Sequence, residues 1–129
     1  MSRNRTLLVA AASLVASSVF AANPKPDIEN GKTVFSQQCG ICHAVTDEPG
    51  GPTQGPNLVG LIGRKAASDK DFPSYTAALK AYGVTWNAKN LSDFLINPMA
   101  KVPGTMMPMI LPDDKIRADV VAYLASLKK

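Results

Sequence analysis

Both cysteines and the only histidine of this 129-residue chain fall in one pentapeptide, Cys39-Gly40-Ile41-Cys42-His43. Whatever the chain folds into has to use two thiols three positions apart with an imidazole directly after them. Three ordinary uses compete: a small disulfide, a redox pair of the thioredoxin kind, and half of a zinc site. The redox pair belongs on a strand-to-helix junction, and no segment here alternates apolar and polar residues with the period of a strand. Zinc takes four ligands, and the chain has no further Cys or His to complete the set. A fourth use fits the spacing. Two thiols placed this way reach both vinyl groups of one porphyrin as thioethers, and the adjoining His43 is held over the iron, which is the attachment signature of haem c.

Composition points the same way. Eight aromatic residues and ten prolines leave a lean core for this length. A covalent porphyrin through Cys39 and Cys42 consumes both thiols and supplies the large apolar body that the side chains lack. The chain is too short for two domains of ordinary size, and it has neither a Gly-x-Gly-x-x-Gly nor a Walker loop to cradle a nucleotide.

Residues 1–21 read as a cleaved export signal, with Arg3 and Arg5 in a basic start, an uncharged run from Leu7 to Phe20, and small residues before a cut after Ala21, with Ala22 as the alternative. The run is shorter than the roughly 20 apolar residues that span a bilayer, so no stable membrane insertion is expected after cleavage. Residues 22–129 are then expected to form one monohaem domain in an oxidising compartment outside the cytoplasm. Loss of Arg3 and Arg5 lowers the formal charge from +4 to +2. The remaining lysines are scattered among acids without interleaved aromatics, which excludes a nucleic-acid surface.

The expected fold class is all-α. Ile28, Gly31, Phe35 and Cys39 recur at three- and four-residue steps along a first helix. Asp47 to Gly63 holds three prolines and five glycines and predicts a long ordered loop. A short helix is expected from Ser74 to Tyr82, stopped by Gly83, and another after the cap Asn87 with Leu91, Phe94 and Leu95 buried. Met99 to Pro112, with four methionines and three prolines, reads as irregular. A last helix opens with Pro112 in its first turn and buries Ile116, Val120, Tyr123, Leu124 and Leu127.

A second axial ligand suits Met, because thioether sulfur raises the iron potential. Met99, Met106, Met107 and Met109 all lie in the irregular segment, and spacing does not choose among them.

Beyond the pentapeptide the chain reads GPNLVGLIGRK from Gly55, then Ser74-Tyr75-Thr76, Gly83-Val84-Thr85-Trp86, Asn97-Pro98, Pro103-Gly104-Thr105-Met106-Met107 and Ala122-Tyr123-Leu124. In these blocks, their order and their spacing, it resembles the class I c-type cytochromes, particularly the subgroup of bacterial cytochromes c2 and mitochondrial cytochrome c. The resemblance spans Ile28 to the C-terminus. It implies a small fold in which the N- and C-terminal helices cross and shorter helices and long loops wrap one covalent haem. It also implies that Met107 is the axial ligand opposite His43, with Met106 and Met109 as the alternatives. Pro56 would accept the Nδ1 proton of His43. Arg64, Tyr75 and Trp86 would bond the haem propionates, and Gly31, Phe35 and Tyr123 would mark the helix crossing.

The chain also departs from the family. Where the family docks through lysines around the haem edge, it has Thr33, Gln38, Met99, Ala100 and Met106, with Met109 nearby, which predicts an apolar and weakly polar docking face. Leu79 stands where an Asn is common. The resemblance implies a periplasmic electron-transfer protein rather than an enzyme, cycling Fe(III)/Fe(II) and meeting redox protein partners as a monomer or in transient complexes. Two alternatives are a haem subunit of a stable dehydrogenase or oxidase complex and a ligand-binding or peroxidatic haem protein.

Overall fold

The computed structural model describes residues 23–129. The expected export signal, residues 1–21, lies outside them. Five α-helices, with no named strand among the described residues, build an all-α domain: α1 (Ile28–Val34), α2 (Ala77–Tyr82), α3 (Ala88–Ile96), α4 (Pro98–Lys101) and α5 (Asp114–Ser126). Asp27 caps α1 by accepting the Asn30 N–H at 3.0 Å.

The first and last helices cross closely. A methyl placed on Gly31 would lie 2.0 Å from the Asp119 carbonyl oxygen and 3.0 Å from Tyr123 Cβ, so only glycine allows the approach. Phe35 and Tyr123 extend the contact, with ring centroids 5.6 Å apart. Ile28, expected on the buried face, is 45% exposed. That end of the crossing is held by polar groups instead: the Asp27 N–H and the Asn30 side chain both donate to the Asp119 carboxylate at 2.7 Å.

The expected first helix does not continue in α geometry to the pentapeptide. Phe35–Cys39 is a π-helical turn, closed by the Gly40 N–H donating to the Phe35 carbonyl at 2.8 Å. α2 starts later than Ser74, because the Thr76 hydroxyl takes the Leu79 N–H at 3.2 Å and leaves Ser74 and Tyr75 outside the helix. Gly83 ends it in the left-handed conformation at φ 61°. α3 opens on the reciprocal pair Asn87 and Asn90 and buries Leu91, Phe94 and Leu95, as expected. The segment from Met99 is not wholly irregular. Asn97 accepts the Ala100 N–H at 3.1 Å and Pro98 occupies the first turn, which together form the short α4. Pro112 stays outside α5, since Asp113 is its cap and accepts the Ile116 N–H at 2.8 Å.

Between the pentapeptide and α2 the chain runs as a long ordered loop. Its far part is pinned to the segment before α3: the Gly63 N–H donates to the Trp86 carbonyl at 2.7 Å, Trp86 to Arg64 at 2.9 Å and Ala66 to Val84 at 2.7 Å. This short antiparallel pairing, with a bridge between Lys65 and Thr85, fixes Arg64 and Trp86 relative to one another. Arg117 of α5 is buried and ties three elements together, donating to Ser92 Oγ at 3.0 Å and to the Leu111 and Pro112 carbonyls at 2.8 and 3.1 Å, and pairing with Asp114.

Candidate functional site

A cavity of about 550 Å³ opens at the centre of the fold. Its walls come from the π-helical turn, the long loop, the α2, α3 and α5 helices and the Met-rich segment. Cys39, Cys42, His43, Pro56, Arg64, Tyr75, Trp86 and Met107 all line it, although up to 68 positions separate them in sequence. Leu61, Leu79, Leu91, Phe94, Val120 and Leu124 give it apolar flanks.

The pentapeptide is organised around one carbonyl. The Cys42 and His43 N–H groups both donate to the Cys39 carbonyl at 3.0 Å, which turns all three side chains of the motif toward the cavity wall. Burial and the neighbouring Cys42 push the Cys39 thiol up to about 11. A redox-active Cys-x-x-Cys works through a lowered value, so the site is unlike the thioredoxin kind. The zinc reading finds no partners either, for no group of three or more His, Cys, Asp or Glu able to hold a metal ion occurs among the described residues.

His43 is half-buried, and burial lowers its pKa even though the bond to Pro56 works the other way. It is therefore the neutral imidazole that a metal ion requires. Its Nδ1–H donates to the Pro56 carbonyl at 2.8 Å, which leaves the Nε2 lone pair unused. Gly55 makes room for the ring: a methyl there would come within 2.4 Å of His43 Cε1 and 2.9 Å of Nε2.

The four methionines separate by position. Met99 on α4 is 53% exposed and does not line the cavity. Met106, Met107 and Met109 do, but Met106 is 81% exposed, and of the three only Met107 packs against the buried core. The turn before it is set by Gly104, left-handed at φ 97°, and by the buried Thr105, whose N–H donates to the Val102 carbonyl at 3.0 Å.

The polar residues gather at one end. Arg64 donates to the Asn57 carbonyl at 2.6 Å and the Val59 carbonyl at 3.4 Å. The Tyr75 oxygen accepts the Asp69 N–H at 3.3 Å, and its ring meets Phe72 edge-on with centroids 4.9 Å apart. Burial raises the Tyr75 pKa, so the phenol keeps its proton. Trp86 is 6% exposed and lines the cavity, with no acceptor for its indole N–H among the described residues.

These features fit a haem. The flanks are apolar, two thiols and one neutral imidazole stand on the wall, and unspent donors lie at the polar margin where carboxylates would sit. Sequence reasoning missed Asp69, which supports that margin, and Gln54, whose side-chain oxygen accepts from Cys42 Sγ at 3.2 Å. Neither lies in a recognisable motif, and only the folded loop brings them to the site.

Residues 28–128 match the family described as cytochrome c. The chain is 46% identical over 105 residues to a cytochrome c of Tetrahymena pyriformis, covering 81% of this chain and 92% of that protein. It is 40% identical over 108 residues to a cytochrome c of Chlamydomonas reinhardtii, covering 83% and 95%. A cytochrome c homolog of Bradyrhizobium diazoefficiens shares 40% over 104 residues, covering 79% of this chain and 55% of its own length.

Proposed function

Because this chain belongs to the cytochrome c family and carries one haem c bound covalently through Cys39 and Cys42, we propose that it is a periplasmic electron carrier with His43 and Met107 as its axial ligands. Haem-based electron transfer is the activity of the family; the bound haem supplies a one-electron Fe(III)/Fe(II) couple, and the chain's residues hold, orient and shield it.

The observation that carries this reading is the convergence of eight residues, distant in sequence, on one apolar cavity with a polar end. His43 presents Nε2 because Pro56 takes the other ring proton. Met107 lines the cavity from a turn that packs on the core, and its thioether would be the second ligand. Arg64, Tyr75 and Trp86 are the candidate donors for the propionates, since all three line the polar end of the cavity.

The cavity mouth supports a particular kind of redox partner. Residues 33–46, 49–63 and 102–112 contain no Lys, Arg, Asp or Glu. Ile41 and Met106, which border the cavity from two of these segments, are 66% and 81% exposed. A partner of this face presents an uncharged rim around its own redox centre, and the two meet by apolar contact more than by charge.

The test is a visible spectrum of the protein recovered from the periplasm, oxidised and then reduced, with the intact mass of the same sample. The expected mass is that of a chain beginning at Ala22 plus one haem. The expected spectrum has a sharp reduced α-band and a weak near-red sulfur-to-iron band. Met107→Ala removes the near-red band, whereas Met106→Ala and Met109→Ala leave it. A near-red band that survives Met107→Ala overturns the ligand assignment.

A further inference from the structure

Asp69 sits behind the polar end of the cavity without lining it. Its side chain is 12% exposed, and its Oδ2 lies 3.9 Å from Arg64 Nη1, on a guanidinium that is itself 18% exposed. Its Oδ1 accepts the Asp71 N–H at 3.1 Å, which fixes the carboxylate in a tight turn. Its own N–H donates to the Tyr75 oxygen at 3.3 Å. One residue thus contacts two of the three cavity donors, Arg64 through charge and Tyr75 through the backbone. It also forms part of a second, more polar cleft of about 370 Å³ that shares Phe72 and Ser74 with the cavity.

Each contact has a consequence for the iron couple. A guanidinium in a poorly hydrated wall favours the reduced, less positive centre. A carboxylate beside it opposes that field, and incomplete screening by water carries both effects over several ångströms. The Tyr75 oxygen accepts a hydrogen bond from the Asp69 N–H, which holds the hydroxyl in place and leaves its own proton available to another acceptor.

We propose that Asp69 is a positioning residue that sets the reduction potential, its carboxylate offsetting the Arg64 cation and its N–H holding the Tyr75 hydroxyl in place at the haem margin. The assignment rests on the electron-transfer reading above. It predicts that the two charges act on the couple with opposite signs and nearly cancel.

The experiment uses haem-loaded protein with Asp69→Asn, with Arg64→Gln, and with both. Each is equilibrated with one mediator of known potential and read by its α-band. Asp69→Asn shifts the equilibrium three- to tenfold toward the reduced form, at most about 59 mV upward for a one-electron couple. Arg64→Gln shifts it the other way, and the double variant returns close to the parent. Shifts of the same sign in the two single variants, as water entering a loosened wall would produce, overturn the proposal, and so does an unchanged potential in Asp69→Asn. Should Asp69→Asn fail to load haem, Asp69→Ser keeps an acceptor for the Asp71 N–H and carries the same test. Absence of covalent haem from the parent protein defeats the electron-transfer reading itself, whereas normal spectra with unmoved potentials defeat only the role of Asp69.

Discussion

Gly55 shows how much one missing side chain can control. The His43 ring occupies the volume that a Cβ on residue 55 would need, and the same ring is aligned by its bond to the next residue's carbonyl. Gly55→Ala forces the imidazole away from the Pro56 oxygen or displaces the loop. The expected outcome is a loss of about 1–3 kcal/mol in unfolding free energy and a weakened reduced α-band, read in one denaturant titration followed by absorbance. Wild-type stability and spectrum in this variant would show that the ring is free to move. At this scale much was legible in the sequence, since Cys39, Cys42 and His43 are adjacent and their chemistry depends on that adjacency. Asp69 was not, because its meaning comes from Arg64 and Tyr75, five and six positions away across a turn of no regular geometry.

Among the elements, the crossing of α1 and α5 hides a charge cluster. Asp119 is wholly buried between the helices and accepts from Lys115, the Asp27 N–H and the Asn30 amide, all at 2.7 Å. Burial pushes its carboxyl pKa up, but these donors outweigh burial and hold it below the ordinary carboxylate range. The folded value is thus depressed relative to the unfolded chain, so the stabilisation is complete above about pH 4 and is lost as pH falls through the lower folded value. Asp119→Asn should cost about 2–3 kcal/mol at neutral pH. The variant should also lose less stability than the parent on acidification below about pH 4, as measured by denaturant unfolding across that range. Parallel acid profiles for the two proteins would remove Asp119 from the account. Hydrophobic periodicity located α3 and α5 but passed over Asp119 and Arg117, because the pattern treats charged residues as solvent-facing and their burial depends on donors and acceptors from other elements. It also could not separate the π-helical turn from α-helix, since both offer apolar residues at nearly the same intervals.

For the molecule as a whole, the informative property is where charge is absent. The three uncharged stretches that border the cavity mouth are flanked by Lys32, Arg64 and Lys101 and by Asp47, Glu48 and Asp113, cations and anions in equal number. Steered association draws its speed from a field that salt screens, and this face has little field to lose. Electron exchange with a small anionic iron complex and with a cationic cobalt complex should therefore change less than about threefold as salt rises from about 10 to about 150 mM. A steep decline with the anionic reagent alone would reveal steering by Lys32 and Lys101. The family's architecture was readable because its blocks keep their order along the chain. The short α4 and the 63–66 pairing with 84–86 were not, as each rests on a few backbone bonds with no repeating pattern of side chains.

The meeting of the first and last helices also puts the parts of this protein into an order in time. The pentapeptide leaves the ribosome early, but Val120 and Leu124, which complete one wall of the cavity, belong to the final helix. A chain still being made therefore has its thiols in reach and no closed pocket around them. Closure of the cavity around the two thiols waits for the last few residues to arrive.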